Sequence, residues 1–174
     1  MFYFIRHGEP DYSEQNTKIF QGFGVHLAGL SEKGAAQIKA SAQDSRLSRA
    51  DIILCSPYTR AVQTAAILSK ELGTDISIET DLHEWLANKN YIYEDDETAQ
   101  RAYEEYHRQQ GIHTSDTQLW EEAQSVRERV TGVLKRYASY KKVVVACHGM
   151  MIQATTGKHH PDYGEIVAFD LETV

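Results

Sequence analysis

Short apolar runs alternate along this chain with longer stretches in which apolar residues recur every three or four positions. Phe2 to Ile5 is a short apolar run and predicts a first strand. Residues 31 to 46 carry Ala35, Ile38 and Ala42 at helical spacing. They follow Ser31, whose hydroxyl can accept from the N–H groups of a first turn, so a helix is predicted there. Asp51 to Cys55 predicts a second strand, and a helix is expected to start sharply after it, with Ser56 as N-cap and Pro57 at the first helical position. That helix sets Ala61, Ala65, Leu68 and Leu72 on one face and is expected to stop at Gly73. Ile76 to Glu79 alternates as a strand does. Residues 118 to 138 place Leu119, Ala123, Val126, Val130, Val133 and Tyr137 on one face of a long helix. Val143 to Cys147 is the most strand-like run, a helix follows from about Gly149, and Ile166 to Leu171 predicts a last strand.

One stretch breaks this rhythm. Residues 85 to 117 are polar, acidic around Glu94 to Glu97, and rich in tyrosine, with Tyr91, Tyr93, Tyr103 and Tyr106. They read as an excursion over the surface, partly helical after Thr98. Elsewhere, strands alternating with helices predict an α/β fold: a three-layer sandwich with a largely parallel central sheet and helices on both faces. The 174 residues fit one domain, 1–174, with a short cap-like insertion at about 85–117.

Composition narrows the function. With 18 basic and 25 acidic residues, the formal net charge of −7 argues against a nucleic-acid or anionic-membrane partner. Apolar runs of at most five residues fall far short of the roughly 20 a membrane helix needs. No basic stretch precedes the first apolar run and no small-residue cleavage site follows it, so no secretion signal is read. Cys55 and Cys147 each end an apolar run and read as buried thiols in a reducing compartment, so a cytoplasmic protein is expected. No heptad seam or exposed apolar strand indicates an oligomeric state.

The candidate chemistry gathers where ligands of α/β sheets sit, at the carboxyl ends of strands. The first strand runs into Arg6-His7-Gly8-Glu9, the second into Ser56-Pro57-Tyr58-Thr59-Arg60, and the late one into Cys147-His148-Gly149. Arginine forks match phosphate or carboxylate and keep their charge when partly buried. The histidines beside them can act as nucleophile, proton carrier or cation.

These runs resemble the signature of the histidine phosphatase superfamily, the phosphoglycerate-mutase-like proteins. Arg6-His7-Gly8-Glu9 resembles the family's first motif. Leu30 to Gln37 resembles its helix start, Ser56 to Ala65 its Ser-Pro-x-x-Arg-Ala-x-Gln-Thr-Ala segment, Leu82-His83-Glu84 the place of its acid, and Val143 to Gly149 its second histidine. The resemblance implies His7 as a nucleophile that becomes a phosphohistidine. It implies Arg6, Arg60 and a protonated His148 as the clamp on the phosphoryl oxygens, and Glu84 as the group that protonates the leaving oxygen and then activates water. It implies no metal and no other cofactor. The family's usual spacing puts Ser13 where a phosphate-touching asparagine often stands, with Asn16 nearby; Ser13, Asn16 or neither fills that place. Gln21-Gly22 resembles a further phosphate-binding pair.

Rival chemistries lack their residues. Four residues separate Cys55 from Arg60, one fewer than a cysteine-phosphatase loop needs, and no G-x-x-x-x-G-K-[ST] is present. His83-Glu84 begins H-E-x-x-H, but Ala87 stands at the fifth position. His159-His160 is an adjacent pair without further ligands in sequence, so no metal is expected there. The chain's shortness and its end soon after the last strand favour a phosphatase over a mutase, which must exclude water. The expected activity is metal-independent hydrolysis of a small phosphorylated metabolite by a histidine acid phosphatase-type phosphomonoesterase. The alternatives are phosphoglycerate-mutase-type transfer and a non-catalytic phosphate-ester-binding module on the same fold.

Overall fold

A computed structural model describes residues 1–14 and 24–171. Its strands are β1 (Phe2–Arg6), β2 (Ile52–Cys55), β3 (Ile76–Ile78), β4 (Val143–Cys147) and β5 (Ile166–Phe169). They form one sheet in the order β3-β2-β4-β1-β5, parallel throughout except for β5, which runs antiparallel to β1 at the edge. The helices are α1 (Glu32–Ser41), α2 (Thr59–Leu72), α3 (Asp96–Arg108), α4 (Ala123–Arg136) and α5 (Gly149–Thr156). Among the described residues no helix is long and apolar enough to cross a membrane.

The central strands β1, β2 and β4 read as near-continuous apolar runs because both faces of the sheet are covered there, whereas edge strand β3 is largely exposed. Val143, Val145 and Cys147 turn one way and pack, with Phe2, Phe4 and Leu54, on Val126, Val130 and Val133 of α4 and Met151 and Ile152 of α5. Val144 and Ala146 turn the other way and pack, with Ile5, Ile53 and Cys55, on Ile38 of α1 and Ala65 and Leu68 of α2. This is the expected three-layer α/β architecture.

Three helix boundaries differ from expectation. The first helix ends at Ser41, and the chain closes in a short 3-10 turn over Ser45–Leu47, capped by Asp44. The second begins at Thr59 with Tyr58 in the cap position, so Ser56 is not its cap; the Ser56 hydroxyl lies against His148 and accepts from the Tyr58 N–H. Its end is as expected: Gly73 takes the left-handed conformation (φ 66°) that a side chain resists. The fourth begins only at Ala123 because the preceding residues have other partners. Leu119 is exposed, Trp120 is buried with Tyr106 and Met150 and donates from its indole N–H to Glu105, and Gln118 bonds the Thr114 and Ser115 N–H groups.

Two glycines fix how closely α1 approaches the end of β1. A Cβ on Gly8 would lie 2.3 Å from the Gly34 carbonyl oxygen, and one on Gly34 would lie 2.1 Å from the Glu9 carbonyl oxygen. Only bare backbone fits at both positions, and this contact backs the loop that carries His7. Within residues 85–117, α3 is capped by Asp95 and rests through Tyr106 against Trp85 and Trp120.

Candidate active site

Because β2, β4 and β1 are adjacent and parallel, their carboxyl ends share one rim. The ladder continues one residue past each end: the His7 N–H donates to the Cys147 carbonyl (2.9 Å) and the Ser56 N–H to the Ala146 carbonyl (3.1 Å). Arg6, His7, Ser56 and His148 are thus positioned by backbone, and the first turn of α2 adds Arg60.

His7 is buried, with Nδ1 2.7 Å from the Gly8 carbonyl oxygen. A carbonyl only accepts, so Nδ1 carries the proton and Nε2 presents its lone pair. Arg60 Nε donates to that Nε2 at 3.2 Å. Burial first, then the charge of Arg60, lowers the His7 pKa from 6.5 to about 3. The imidazole is therefore neutral at any physiological pH, as a nucleophile must be.

His148 is fully buried, its ring centroid 5.2 Å from that of His7. Its Nε2 lies 2.7 Å from Ser56 Oγ, which also accepts from the Tyr58 N–H at 3.3 Å. Nδ1 is buried without a partner. Burial, Arg60 and His7 hold the His148 pKa well below the ordinary value. The expected protonated His148 is therefore not the state of the unliganded site, since an imidazolium there would be both desolvated and repelled.

Arg6 stays at the rim, where the loop that follows α5 anchors it. It donates to the Pro161 carbonyl at 2.7 Å, and its guanidinium lies 4.1 Å over the Tyr163 ring. Arg60 donates a second bond to the Val25 carbonyl at 3.0 Å. Both forks are thus held in place before any anion arrives.

Glu84 follows a 3-10 turn over Thr80–Leu82. Its Oε1 accepts from the N–H groups of Trp85 (2.8 Å) and Met151 (3.1 Å), and its Oε2 from that of Met150 (3.3 Å). The carboxylate therefore caps the first turn of α5. Burial raises its pKa above 4.5, while these N–H groups and Arg60 pull the other way. The segment is held by Arg129 of α4, which donates to the carbonyls of Asp81 (2.6 Å) and His83 (2.9 Å) and pairs with buried Glu121 at 2.7 Å.

Beside Arg60 and Glu84 opens a cavity of about 480 Å³, walled largely by Tyr58, Trp85, Tyr91 and Tyr93. His26 lines it too and stacks on Tyr58 with centroids 4.0 Å apart.

Of the residues expected from sequence, Arg6, His7, Arg60, Glu84 and His148 meet at this rim. Ser13 is exposed in a turn, its N–H donating to Asp11 Oδ1. Asn16, Gln21 and Gly22 lie outside the described residues. Four contributors escaped the sequence reading. Ser56 reads as a helix cap, His26 reads as a loop histidine, and nothing local marks Tyr163 or Arg129.

The electrostatics predict acid sensitivity. His7, His26 (about 4), His83 and His148 all have folded pKa values below the ordinary 6.5. The unfolded chain takes up protons at 6.5 that the fold refuses, so stability is full above that value and falls as pH drops below it. His7 alone costs about 1.4 kcal/mol per pH unit between 6.5 and its folded pKa. Glu84, shifted upward, offsets part of this only nearer its own pKa. The urea midpoint of the ligand-free protein should drop clearly between about pH 7.5 and pH 5. An unchanged midpoint would mean the four imidazoles are not held neutral.

A family model described as "Histidine phosphatase superfamily (branch 1)" matches residues 2–162. An agropine synthesis reductase of Rhizobium rhizogenes is 36% identical over 73 residues, covering 38% of this chain and 17% of the relative. A Hydrogenobacter thermophilus protein named "Putative phosphoserine phosphatase 2" is 35% identical over 83 residues, covering 47% of this chain and 38% of its own. The matched part is thus well under two thirds of the length of these curated relatives. The solved mycobacterial glucosyl-3-phosphoglycerate phosphatase superposes with a TM-score of 0.66 at 20% identity, over 90% of this chain and 77% of that one, which is a likeness of fold.

Proposed function

The chain belongs to the histidine phosphatase superfamily (branch 1), and from that membership we propose that it hydrolyses phosphomonoesters through a phosphohistidine on His7. The observation that carries this reading is the His7 imidazole, tied at Nδ1 to Gly8 with its Nε2 lone pair directed at Arg60. The substrate phosphoryl group takes the place against Nε2, and Arg60 moves its bond from the ring to a phosphoryl oxygen. Nε2 attacks phosphorus as the bond to the ester oxygen breaks. Glu84 gives that oxygen its proton and leaves as carboxylate. Water then attacks the phosphohistidine, Glu84 recovers a proton from it, the P–N bond breaks and inorganic phosphate departs. Charge spreads over three equatorial oxygens in such a transfer, so fixed donors contribute most of the rate. Arg6 and Arg60 are such donors. His148 joins them as a neutral N–H: a Ser56 hydroxyl that donates to Nε2 leaves the proton on the unpartnered Nδ1.

The cavity supports a leaving alcohol that is neutral and flat or apolar. Four aromatic side chains face it, and they gain more from a ring or hydrocarbon than from a second anion. Glu94 also lines it, its carboxylate held by Asn88 Nδ2 at 2.6 Å, and repels a second phosphate. Residues 85–117 then act as a short cap on one domain. Hydrolysis of a panel of monoesters in the presence of a chelator tests the reading. A phenyl or nitrophenyl ester should exceed a sugar bisphosphate in kcat/KM by on the order of tenfold, about 1.4 kcal/mol. No turnover of any monoester across about pH 5 to 8, the range in which histidine ordinarily titrates, would sink it.

A further inference from the structure

The sequence offers His159-His160 as a bare pair, but the fold adds a third histidine. His107, near the end of α3, packs its ring 5.3 Å from that of His160 and 6.0 Å from that of His159, and the pair's own centroids are 4.2 Å apart. One ligand nitrogen from each lies within 4.8 Å of the other two. We propose that His107, His159 and His160 form a binding site for a divalent transition metal of the zinc class, separate from the phosphate site.

Imidazole is the ligand type that suits zinc, copper and nickel rather than magnesium or calcium. Zinc–nitrogen bonds of about 2.0–2.1 Å in a tetrahedron put the nitrogens roughly 3.4 Å apart. His159 and His160 are exposed and can rotate to close the remaining gap around a half-buried His107. His107 Nε2 is a buried atom with no hydrogen-bond partner. A buried nitrogen without a partner carries a desolvation cost, and a metal ion would remove it. His160 also sits at φ 42°, in the left-handed region that non-glycine residues seldom occupy. Three ligands leave a fourth position for water or an outside group.

The placement gives the ion a consequence. His159 and His160 directly precede Pro161, whose carbonyl anchors Arg6, and Tyr163, on which the Arg6 guanidinium rests. A metal joining them to His107 would fasten this loop to α3 and so stiffen the support of a phosphate-clamping arginine.

The test is direct titration of the chelator-treated full chain with Zn²⁺ by calorimetry, and with Co²⁺ by its visible absorption. One ion per chain should bind and should raise the melting temperature, since a ligand of the folded state stabilises it. His107→Gln, and separately the double change His159→Gln with His160→Gln, should each weaken Zn²⁺ binding by at least the roughly 10–100-fold that even outer-shell partners contribute. His7→Gln should leave it unchanged. Absence of saturable binding would overturn the proposal. So would binding untouched by the His107, His159 and His160 changes, or binding lost with His7. All of these readouts are independent of whether the protein hydrolyses a phosphate ester.

Discussion

Replacing His7 by alanine is expected to lower kcat/KM on every phosphomonoester by on the order of 10⁴–10⁶, the range seen when a covalent nucleophile is removed. The size follows from what stands behind the residue. Its Nδ1 proton goes to Gly8, its Nε2 lone pair lies under Arg60, and its pKa near 3 keeps it unprotonated. His148 does not take over, because it keeps its Nε2 on Ser56 and is fully buried. The residual rate should be what Arg6 and Arg60 give a water molecule by electrostatics alone. Rapid quench with labelled substrate checks the chemistry as well as the rate. Wild type should yield an acid-labile, base-stable phosphoryl-protein adduct, and His7→Ala should yield none. A variant retaining more than a tenth of wild-type kcat/KM would remove His7 from the reaction.

Glu84→Gln should show the second-largest effect, with a signature a structural role would not give. Loss of a general acid typically costs 10²–10⁴-fold. The cost should appear in full on an alkyl ester, whose alkoxide cannot leave without a proton. It should shrink markedly on a nitrophenyl ester, whose phenolate can. The pH profile supplies the sign. Burial raises the Glu84 pKa above 4.5, and the proton-bearing form is the one that acts first. Wild-type kcat/KM should therefore fall as pH rises through that folded pKa, and the variant should lack this alkaline limb. Equal losses on both esters, with the limb retained, would assign the proton to another group.

The parts of this site that could be read in sequence share one property. Each sits within a residue or a few of the end of an apolar run, so strand and chemistry announce each other: Arg6 and His7 after Phe2–Ile5, Arg60 after Cys55, His148 after Cys147. Glu84 stood out only through the resemblance of Leu82-His83-Glu84 to a family motif. Tyr163 and Arg129 were hidden because their roles exist only in three dimensions: one is a ring under Arg6, the other a fork on the carbonyls of Asp81 and His83. Ser56 illustrates competition between two readings of one hydroxyl. Locally it suits a helix cap; in the fold it is bonded to the histidine that follows β4, and α2 begins at Thr59. The sheet was legible for a related reason. Strands covered on both sides are apolar at every position, and α1 and α2 on one face with α4 and α5 on the other provide that cover. The helix ends were less so, since Trp120 and Gln118 follow tertiary partners rather than periodicity.

The bonds from Met150 and Met151 to Glu84 tie the proposed proton donor to the scaffold. A carboxylate sealed from solvent would hold its proton so tightly that it would be a poor acid. Here the ionised form it leaves behind accepts from the N–H groups at the buried, positive end of α5. In the proposed cycle, each proton given away strengthens the helix, and each proton recovered relaxes it. The acid strength of the group is therefore set by burial against the Trp85 N–H, Arg60 and the first turn of an eight-residue helix following β4. Changes that fray that helix should alter the pH at which the enzyme works without touching a reacting atom.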